Sequence, residues 1–590
     1  MIGAARAAVV GLTALLASPA FAQAPAAPVK LEGVWGSTRH FGPEVRGTLE
    51  IVKADGAWRA QVGRFVVEPI VRDARVEFTL PDGQGSFEGT FEPSGLAIRG
   101  FWKQPKTVND GSVFLSPVLL RADASKARWR GEVVPLDEDF TLYLVISPAA
   151  DGRAAAFIRN PNRNIGLWWN VNRVEQAGGQ VRLVGKFRGR GEDRVFGEGT
   201  YRAEDKVLSI YFPQRSATYD FSPIADSSAF HARPKNAPPY RYAPPIAAFD
   251  GWKTGTLSEV GLDVEPLAEL VRLVSKDPTS VDDLDQHGLL IARHGKLVFE
   301  QYFHGFHRLK PHDTRSAGKT VASLLVGAAM QHGAKLDTST RVYGLLLPGA
   351  NVEPRKKEMT VEHLLTMSSG YDCDDWAGDR PGSEDHLLDD EPDSNYYRYT
   401  LQLPMEMAPG KEAVYCSINP NLIGAVVAAA TRRPIADLFE EWIARPLQIG
   451  SYFLNLQPTG EPYLGGGARL LPRDFMKFGQ LLLDDGMWNG RRVLPHEYVQ
   501  RVGLPHVTLR KQPKDMRFGY LWWTIDYAYK GRTITGYWAS GNGGQIVLVL
   551  PELDLVVAAY GGNYGGTAGW SMIKDYIPKY VLPALTDASR

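Results

Sequence analysis

Cysteine is almost absent from this chain: 590 residues hold two, Cys373 and Cys416. No Cys-x-x-Cys, no His-Glu-x-x-His and no Gly-x-x-x-x-Gly-Lys-Ser/Thr loop occurs. Metal-assisted and nucleotide chemistry therefore lack motif support, and neither a metal nor a cofactor is expected. Net charge is missing as well. The 66 Lys and Arg balance the 66 Asp and Glu, which leaves no basic footprint for nucleic acid or for an acidic membrane surface. Beyond the first residues no run reaches about 18 uninterrupted apolar positions, so the mature chain offers no transmembrane segment. What is present is an ordinary globular composition, 44% apolar and 22% charged, in a chain long enough for about two to four domains. It sets no oligomeric state.

The first 22 residues read as a secretory signal. Arg6 supplies the basic region, Ala7 to Ala17 the short apolar stretch, and Ala20-Phe21-Ala22 a small-x-small cleavage site before Gln23. The expectation is export, with a bacterial periplasm as the destination. An even pair of cysteines in an oxidising compartment is a candidate disulfide, and two cysteines allow one pairing.

Residues 30 to about 222 read as strands. Thr48 to Val52 and Val76 to Leu80 alternate apolar and polar positions between Gly-rich turns. The region is duplicated in outline. Trp35-Gly36 is echoed by Trp129-Arg130-Gly131, Phe87-Glu88-Gly89-Thr90-Phe91 by Phe196-Gly197-Glu198-Gly199-Thr200-Tyr201, and Leu96-Ala97-Ile98 by Leu208-Ser209-Ile210. Two meanders are expected, residues 23–126 and 127–222, forming either a pair of small barrels or sandwiches or one barrel built from two halves. A stiff linker follows at 223–250, carrying Pro234, Pro238, Pro239, Pro244 and Pro245. From 251 to 590, helical runs alternate with short apolar strands such as Gly288 to Ala292 and Ile546 to Leu550. The fold class is thus multidomain: an N-terminal all-β duplicated region followed by an α/β (α+β) domain.

Chemistry concentrates in that second part. Ser316-Ala317-Gly318-Lys319 opens a helix-like run to Gly333. Three residues apart on a helix, the two side chains share a face. A serine hydroxyl is a weak nucleophile until a neighbour takes its proton, and a buried lysine can be that neighbour. Such a pair needs a second proton handler and a cradle for an oxyanion. Tyr415 and Ser417 lie in a turn before an apolar helix at 421–430, and Gly541-Asn542-Gly543-Gly544-Gln545 precedes a strand.

In that order, Ser-x-x-Lys, Tyr-x-Ser and Gly-Asn-Gly, the sequence resembles the serine β-lactamase and penicillin-binding-protein superfamily. It is most similar to the class C-like branch of esterases, D-amino-acid peptidases and nylon-oligomer hydrolases. The segments 359–370, 465–475 and 551–557 are similar to the same family, and the resemblance covers roughly residues 255 to 585. It implies a β-lactamase-like fold for 251–590, with Ser316 as acylated nucleophile, Lys319 as its activator and Tyr415 as partner base. It implies an oxyanion hole from the Ser316 N–H and one N–H of the 541–544 turn, Asn542 above all, with Gly541 and Gly543 beside it. Two positions depart from the family pattern. Ser417 stands where Tyr-x-Asn has Asn, and Gly541-Asn542-Gly543 stands where β-lactamases carry Lys-Thr-Gly or His-Thr-Gly. Without that cation, weak or no β-lactamase activity is expected, and the chain reads as an esterase or amidase. The alternative is a non-catalytic binding or sensor protein on the same fold, with the β region binding cell-wall or partner surfaces.

Between nucleophile and tyrosine, Asp372, Asp374, Asp375, Asp379, Glu384, Asp385, Asp389, Asp390, Glu391 and Asp393 crowd together, with Arg380 alone opposing. This is either a solvated loop or a mouth favouring amine-bearing substrates. Trp376, Tyr396, Tyr397, Trp522 and Trp523 are candidates for an apolar pocket or for core. By the resemblance, a Cys373–Cys416 bridge would hold Tyr415 in register with Ser316.

Overall fold

The first strand of each expected repeat lies in the other repeat's sheet. A computed structural model describes residues 30–586 except 107–111, 161, 163–168, 225–228, 279–281, 392–393 and 511–515, so the expected leader falls outside the described residues. Strand Gly33–Phe41, with Trp35, pairs antiparallel along its whole length with Glu138–Pro148. Strand Arg128–Val133, with Trp129, pairs instead with Gly47–Ala54. The units in space are therefore not the contiguous segments 23–126 and 127–222. Each closes with a strand from its counterpart, because a ladder rewards matched register whatever the distance along the chain.

The two units also differ in closure. The later strands and Gly33–Phe41 form a closed eight-stranded barrel. Its interior is filled by Leu142, Leu144, Ile158, Leu183, Leu208, Ile210, Phe212 and Phe221, none of which reaches solvent. Closing the sheet removes its edges, and filling the bore with side chains leaves a packed core. The earlier strands form an open sheet around Leu49, Ile51, Phe87, Trp102 and Leu120.

The C-terminal part is built on a nine-stranded sheet. Strands Gln286–Arg293, Gln545–Leu550 and Leu555–Gly561 are buried along their whole length. Both faces of the central strands are covered, so they read as continuous apolar runs rather than as alternations. Helix Pro472–Leu483 packs on the last two. Helices Thr320–Gln331 and Ile418–Thr431, apolar nearly all round, pack together in the interior. Among the described residues no helix is long and apolar enough to cross a membrane.

Two joints tie the β units to this domain. In the first, strand Phe114–Ala122 of the open sheet pairs with Tyr452–Asn455, which pairs with Arg469–Leu470, which pairs with His312–Asp313. One hydrogen-bonded ladder thus runs from the N-terminal region to three residues short of Ser316. In the second joint, Arg159 of the closed barrel reaches into the C-terminal domain. It pairs with Asp285 and donates to the Phe230 carbonyl at 3.0 Å, with both charged side chains fully buried. The linker is no free arm either. Tyr242 Oη donates to the Val298 carbonyl at 2.8 Å, and Arg473 binds both Asp250 and Glu300.

Removing one partner of a fully buried ion pair strands the other charge in a poor solvent, which typically costs about 3–5 kcal/mol. Arg159→Ala is expected to destabilise the C-terminal domain by that amount. Denaturant unfolding followed by tryptophan fluorescence measures it, and a loss below about 1 kcal/mol would show that the joint contributes little.

Candidate active site

Arg315–Lys319 forms a 3₁₀ turn that runs into helix Thr320–Gln331. The spacing predicts an α-helix from Ser316, and the tighter turn is the difference. It matters because side chains three apart eclipse in a 3₁₀ turn. Lys319 Nζ accordingly donates to Ser316 Oγ at 2.9 Å. Arg315 takes a left-handed conformation, φ 48°, which costs a non-glycine residue about 1 kcal/mol or more. Asp313 Oδ1, accepting from the Arg315 N–H at 2.8 Å, helps to hold it there.

Lys319 is buried, and its ammonium needs partners. A second bond goes to the Gly465 carbonyl at 2.6 Å, and Nζ stands 5.0 Å from the centre of the Tyr415 ring. Burial disfavours the charged form, but Tyr415, Glu384 and Asp375 outweigh it and hold the Lys319 pKa above its ordinary value. Burial also raises the Tyr415 phenol, against the pull of Lys319 and a hydrogen bond with Ser316. At neutral pH both groups therefore keep their protons, and the pair becomes a base as pH rises.

Tyr415 is fixed from several sides. Its neighbour Val414 donates to the Met367 carbonyl at 2.8 Å, and its own carbonyl accepts from the Asp375 N–H at 3.0 Å. The ring is sandwiched between Trp376 at 5.0 Å and Trp523 at 5.8 Å. Trp376 is 46% exposed and forms the outer cover. Cys373 and Cys416 are bridged, Cα to Cα 6.0 Å. The bridge joins the start of the acidic loop to the residue after Tyr415.

The acidic loop divides. Asp375 and Glu384 turn inward, whereas Asp379, Asp385 and Asp389 are exposed. Asp375 Oδ2 accepts from the Ser417 N–H at 2.8 Å and from Ser417 Oγ at 2.7 Å, and Oδ1 accepts from the Glu384 N–H. Glu384 accepts from Tyr463 Oη at 2.8 Å. Burial and the Glu384 charge push Asp375 up to about 7. Asp393 and the side chain of Asp390 lie outside the described residues. Ser417 thus faces Asp375, and Lys319 takes the Gly465 carbonyl in addition to Ser316. Neither the Gly465 carbonyl nor the inward carboxylates are marked by the sequence, because loop position and fold contact decide them.

The 541–544 turn lies against the chain leading into the Ser316 turn. A Cβ on Gly541 would stand 2.3 Å from the Thr314 carbonyl oxygen, so only glycine permits this approach. Asn542 Oδ1 accepts from the Gly565 N–H at 2.8 Å, which fixes the turn to the 562–566 loop. The structure therefore brings Ser316, Lys319, Tyr415, Ser417, Gly541, Asn542 and Gly543 into one region with the Cys373–Cys416 bridge beside it. Of the aromatic candidates, Trp376 and Trp523 flank Tyr415. Trp522 and Tyr396 are core, and Tyr397 packs against helix Ile418–Thr431 at Gly424.

Residues 283–561 match the family model described as Beta-lactamase. A 6-aminohexanoate-dimer hydrolase from Paenarthrobacter ureafaciens is 23% identical over 249 residues, which is 40% of this chain and 63% of that protein's length. The chain thus spans less than two-thirds of that relative. Among solved structures, EstCE1, a hydrolase with promiscuous acyltransferase activity, superposes with a TM-score of 0.43 at 17% identity, covering 55% of this chain and 99% of its own. A penicillin-binding protein homologue from Caulobacter crescentus gives 0.43 at 13% identity, covering 55% and 99%.

Two expectations follow from this geometry. The Asp375 carboxylate favours the Lys319 ammonium, so Asp375→Asn lowers the Lys319 pKa. The rising limb of a pH–rate profile should then move to lower pH. A limb that stays put or moves to higher pH would remove Asp375 from the electrostatics of the pair. Reduction of Cys373–Cys416, whose separation is 43 residues, should cost about 3–4 kcal/mol by loop entropy. It should also lower turnover, as Tyr415 loses its tether. Thermal unfolding and activity with and without reductant test both effects, and unchanged values for both would reduce the bridge to a bystander.

Proposed function

We propose that this chain, whose C-terminal domain is of the serine β-lactamase and penicillin-binding-protein superfamily, is an exported serine hydrolase that cleaves an ester or amide through an acyl-serine. The observation that carries the reading is the 2.9 Å bond from Lys319 Nζ to Ser316 Oγ, made in a buried site with the Tyr415 ring centre 5.0 Å from the same nitrogen.

The chemistry follows from those contacts. Ser316 Oγ attacks the carbonyl carbon while its proton passes to the Lys319–Tyr415 pair, deprotonated once between them. The carbonyl π electrons move to oxygen, and that oxyanion is met by the Ser316 N–H and the Asn542 N–H of the adjoining turn. As the tetrahedral species collapses, the Tyr415 oxygen returns the proton to the leaving alcohol or amine. Water then attacks the acyl-serine by the same route in reverse and releases the acid. The substrate is a small molecule. The inward carboxylates Asp375 and Glu384 favour an amine-bearing one.

Esterase or amidase activity is favoured over β-lactam hydrolysis, because the 541–543 turn carries no Lys or His to hold an antibiotic carboxylate. A location outside the cytoplasm is supported by the disulfide, which persists in oxidising compartments.

The test is covalent labelling by a fluorophosphonate, followed by turnover of p-nitrophenyl esters, D-amino-acid amides and nitrocefin. Ser316→Ala should abolish the label and lower turnover by several orders of magnitude while the fold stays intact. Native protein should turn over nitrocefin far more slowly than its best ester. Labelling retained by the Ser316→Ala protein would sink the assignment, and nitrocefin turnover equal to the best ester would overturn the substrate preference.

A further inference from the structure

Four groups stand around the Tyr415 ring. Lys319 Nζ lies 5.0 Å from its centre, Trp376 stacks on it at 5.0 Å, Trp523 stacks on it at 5.8 Å, and Phe518 meets it edge-on at 6.4 Å. Lys319, Phe518 and Trp523 are buried. Of the four, Trp376 is the one that solvent reaches, and nearly half of its surface is open. Exposure alone is ordinary for a surface side chain. What sets Trp376 apart is how firmly it is held.

The residues around it are fastened to the turn that carries Tyr415. Cys373 is bridged to Cys416. The Asp375 N–H donates to the Tyr415 carbonyl at 3.0 Å, and its carboxylate accepts from the Ser417 N–H at 2.8 Å and from the Ser417 hydroxyl at 2.7 Å. Asp374 closes the local turn: its Oδ1 accepts from the Trp376 N–H and its carbonyl from the Ala377 N–H, both at 3.0 Å. Residues 415, 416 and 417 thus each hold the segment that presents the indole. Trp376 cannot leave Tyr415 without breaking these bonds, so the cost of ordering its ring is met before anything binds.

The place of that ring bears on the reaction. Tyr415 Oη hands a proton to the departing oxygen or nitrogen, which must then lie within about 2.6–3.2 Å of it. Whatever that atom carries extends from the same spot. Trp523 and Phe518 are closed off in the core, so the accessible aromatic surface beside the phenol is the indole of Trp376. Such a surface takes a second ring in offset or edge-to-face contact, with centres about 4.5–7 Å apart. We propose that Trp376 is a specificity-determining residue that receives the leaving half of the substrate, an arylmethyl or aryl alcohol or amine. The inference rests on the serine-hydrolase reading and deepens it. A ring that merely covered Tyr415 would affect every ester alike, whereas a binding surface distinguishes leaving groups that share one acyl group.

The experiment compares benzyl acetate with 2-methoxyethyl acetate on the full chain. The two alcohols are of similar acidity, and both esters leave the same acetyl-Ser316, so the ratio of their kcat/KM values reads the leaving-group side of acylation alone. Native protein should favour the benzyl ester at least about tenfold, mainly through KM. Trp376→Ala should bring the ratio down by about tenfold, and Trp376→Phe, which keeps an aromatic face, should retain most of it. A second arm runs the step backwards. With p-nitrophenyl acetate as donor, native protein should pass the acetyl group to benzyl alcohol in preference to 2-methoxyethanol, and Trp376→Ala should erase that choice. Both readouts are ratios within one sample, so a partly folded variant does not distort them. A native ratio near one, or a ratio that Trp376→Ala leaves in place because both esters fall together, would overturn the role of Trp376. Failure of native protein to take a fluorophosphonate label or to turn over any of the three esters would instead overturn the hydrolase reading, so the two failures are distinguishable.

Discussion

An ammonium group buried beneath the protein surface must find acceptors, and Lys319 sets that requirement at the centre of this domain. Its partners are the Ser316 hydroxyl and the Gly465 carbonyl, with the carboxylates of Asp375 and Glu384 favouring its charged form. Each partner in turn has to be held. Leu464 donates to Asn421 Oδ1, and Gly467 donates to the Arg315 carbonyl, so the Gly465 loop is pinned to two elements of the site. Tyr415 is fixed by Met367, Trp376, Trp523 and the Cys373–Cys416 bridge. Asp375 is fixed by Ser417, and Glu384 by Tyr463. The site is the shell that one buried cation needs, with the hydroxyl of Ser316 as a member of that shell. The same shell keeps proton demand high at neutral pH, because carboxylates that stabilise the ammonium also make it hold its proton more tightly.

The N-terminal half is continuous with this shell. The ladder through Phe114–Ala122, Tyr452–Asn455, Arg469–Leu470 and His312–Asp313 delivers the backbone to the Ser316 turn. Arg159 plugs the barrel into the other face through Asp285, beside His304, which burial and Arg159 keep neutral. The end of Phe114–Ala122 that Arg128–Val133 does not reach is thus paired inside the molecule, by Tyr452–Asn455. The exchanged strands Gly33–Phe41 and Arg128–Val133 bind the two β units to each other. A cleft of about 400 Å³ lies between barrel and C-terminal domain, with Asp139 and Asn162 on the one side and Arg315 and Arg469 on the other.

Much of this was legible in the residues. Alternation marked strands such as Gly47–Ala54, and the apolar runs Gly288 to Ala292 and Ile546 to Leu550 marked the middle of Gln286–Arg293 and most of Gln545–Leu550. The Ser316/Lys319 spacing placed those two side chains on one face by itself, because a spacing of three is a local property of sequence, whereas the Tyr415 turn and the glycines at 541 and 543 were joined to them only through the family resemblance. Duplication was also visible, through Trp35 and Trp129. What it did not disclose was the exchange of the strands that carry those tryptophans. Side-chain pattern fixes which face of a strand is buried, and says nothing of which neighbour it pairs with.

The acidic loop shows the same division at the scale of single residues. From the sequence, Asp375 and Glu384 belong to one run of carboxylates indistinguishable from Asp385 or Asp389. In the folded chain the first two face Ser417 and Tyr463 while the others meet solvent. The left-handed turn at Arg315, the carbonyl of Gly465 and the cleft shared with the barrel likewise came only with tertiary structure. The sequence by itself determined which groups the chain offers, a serine and a lysine three apart and a tyrosine before an apolar helix, since residue identity and local spacing belong to the chain alone. The tertiary structure decided which charges surround them, because Coulomb interactions and desolvation depend on distances and burial that only long-range packing creates.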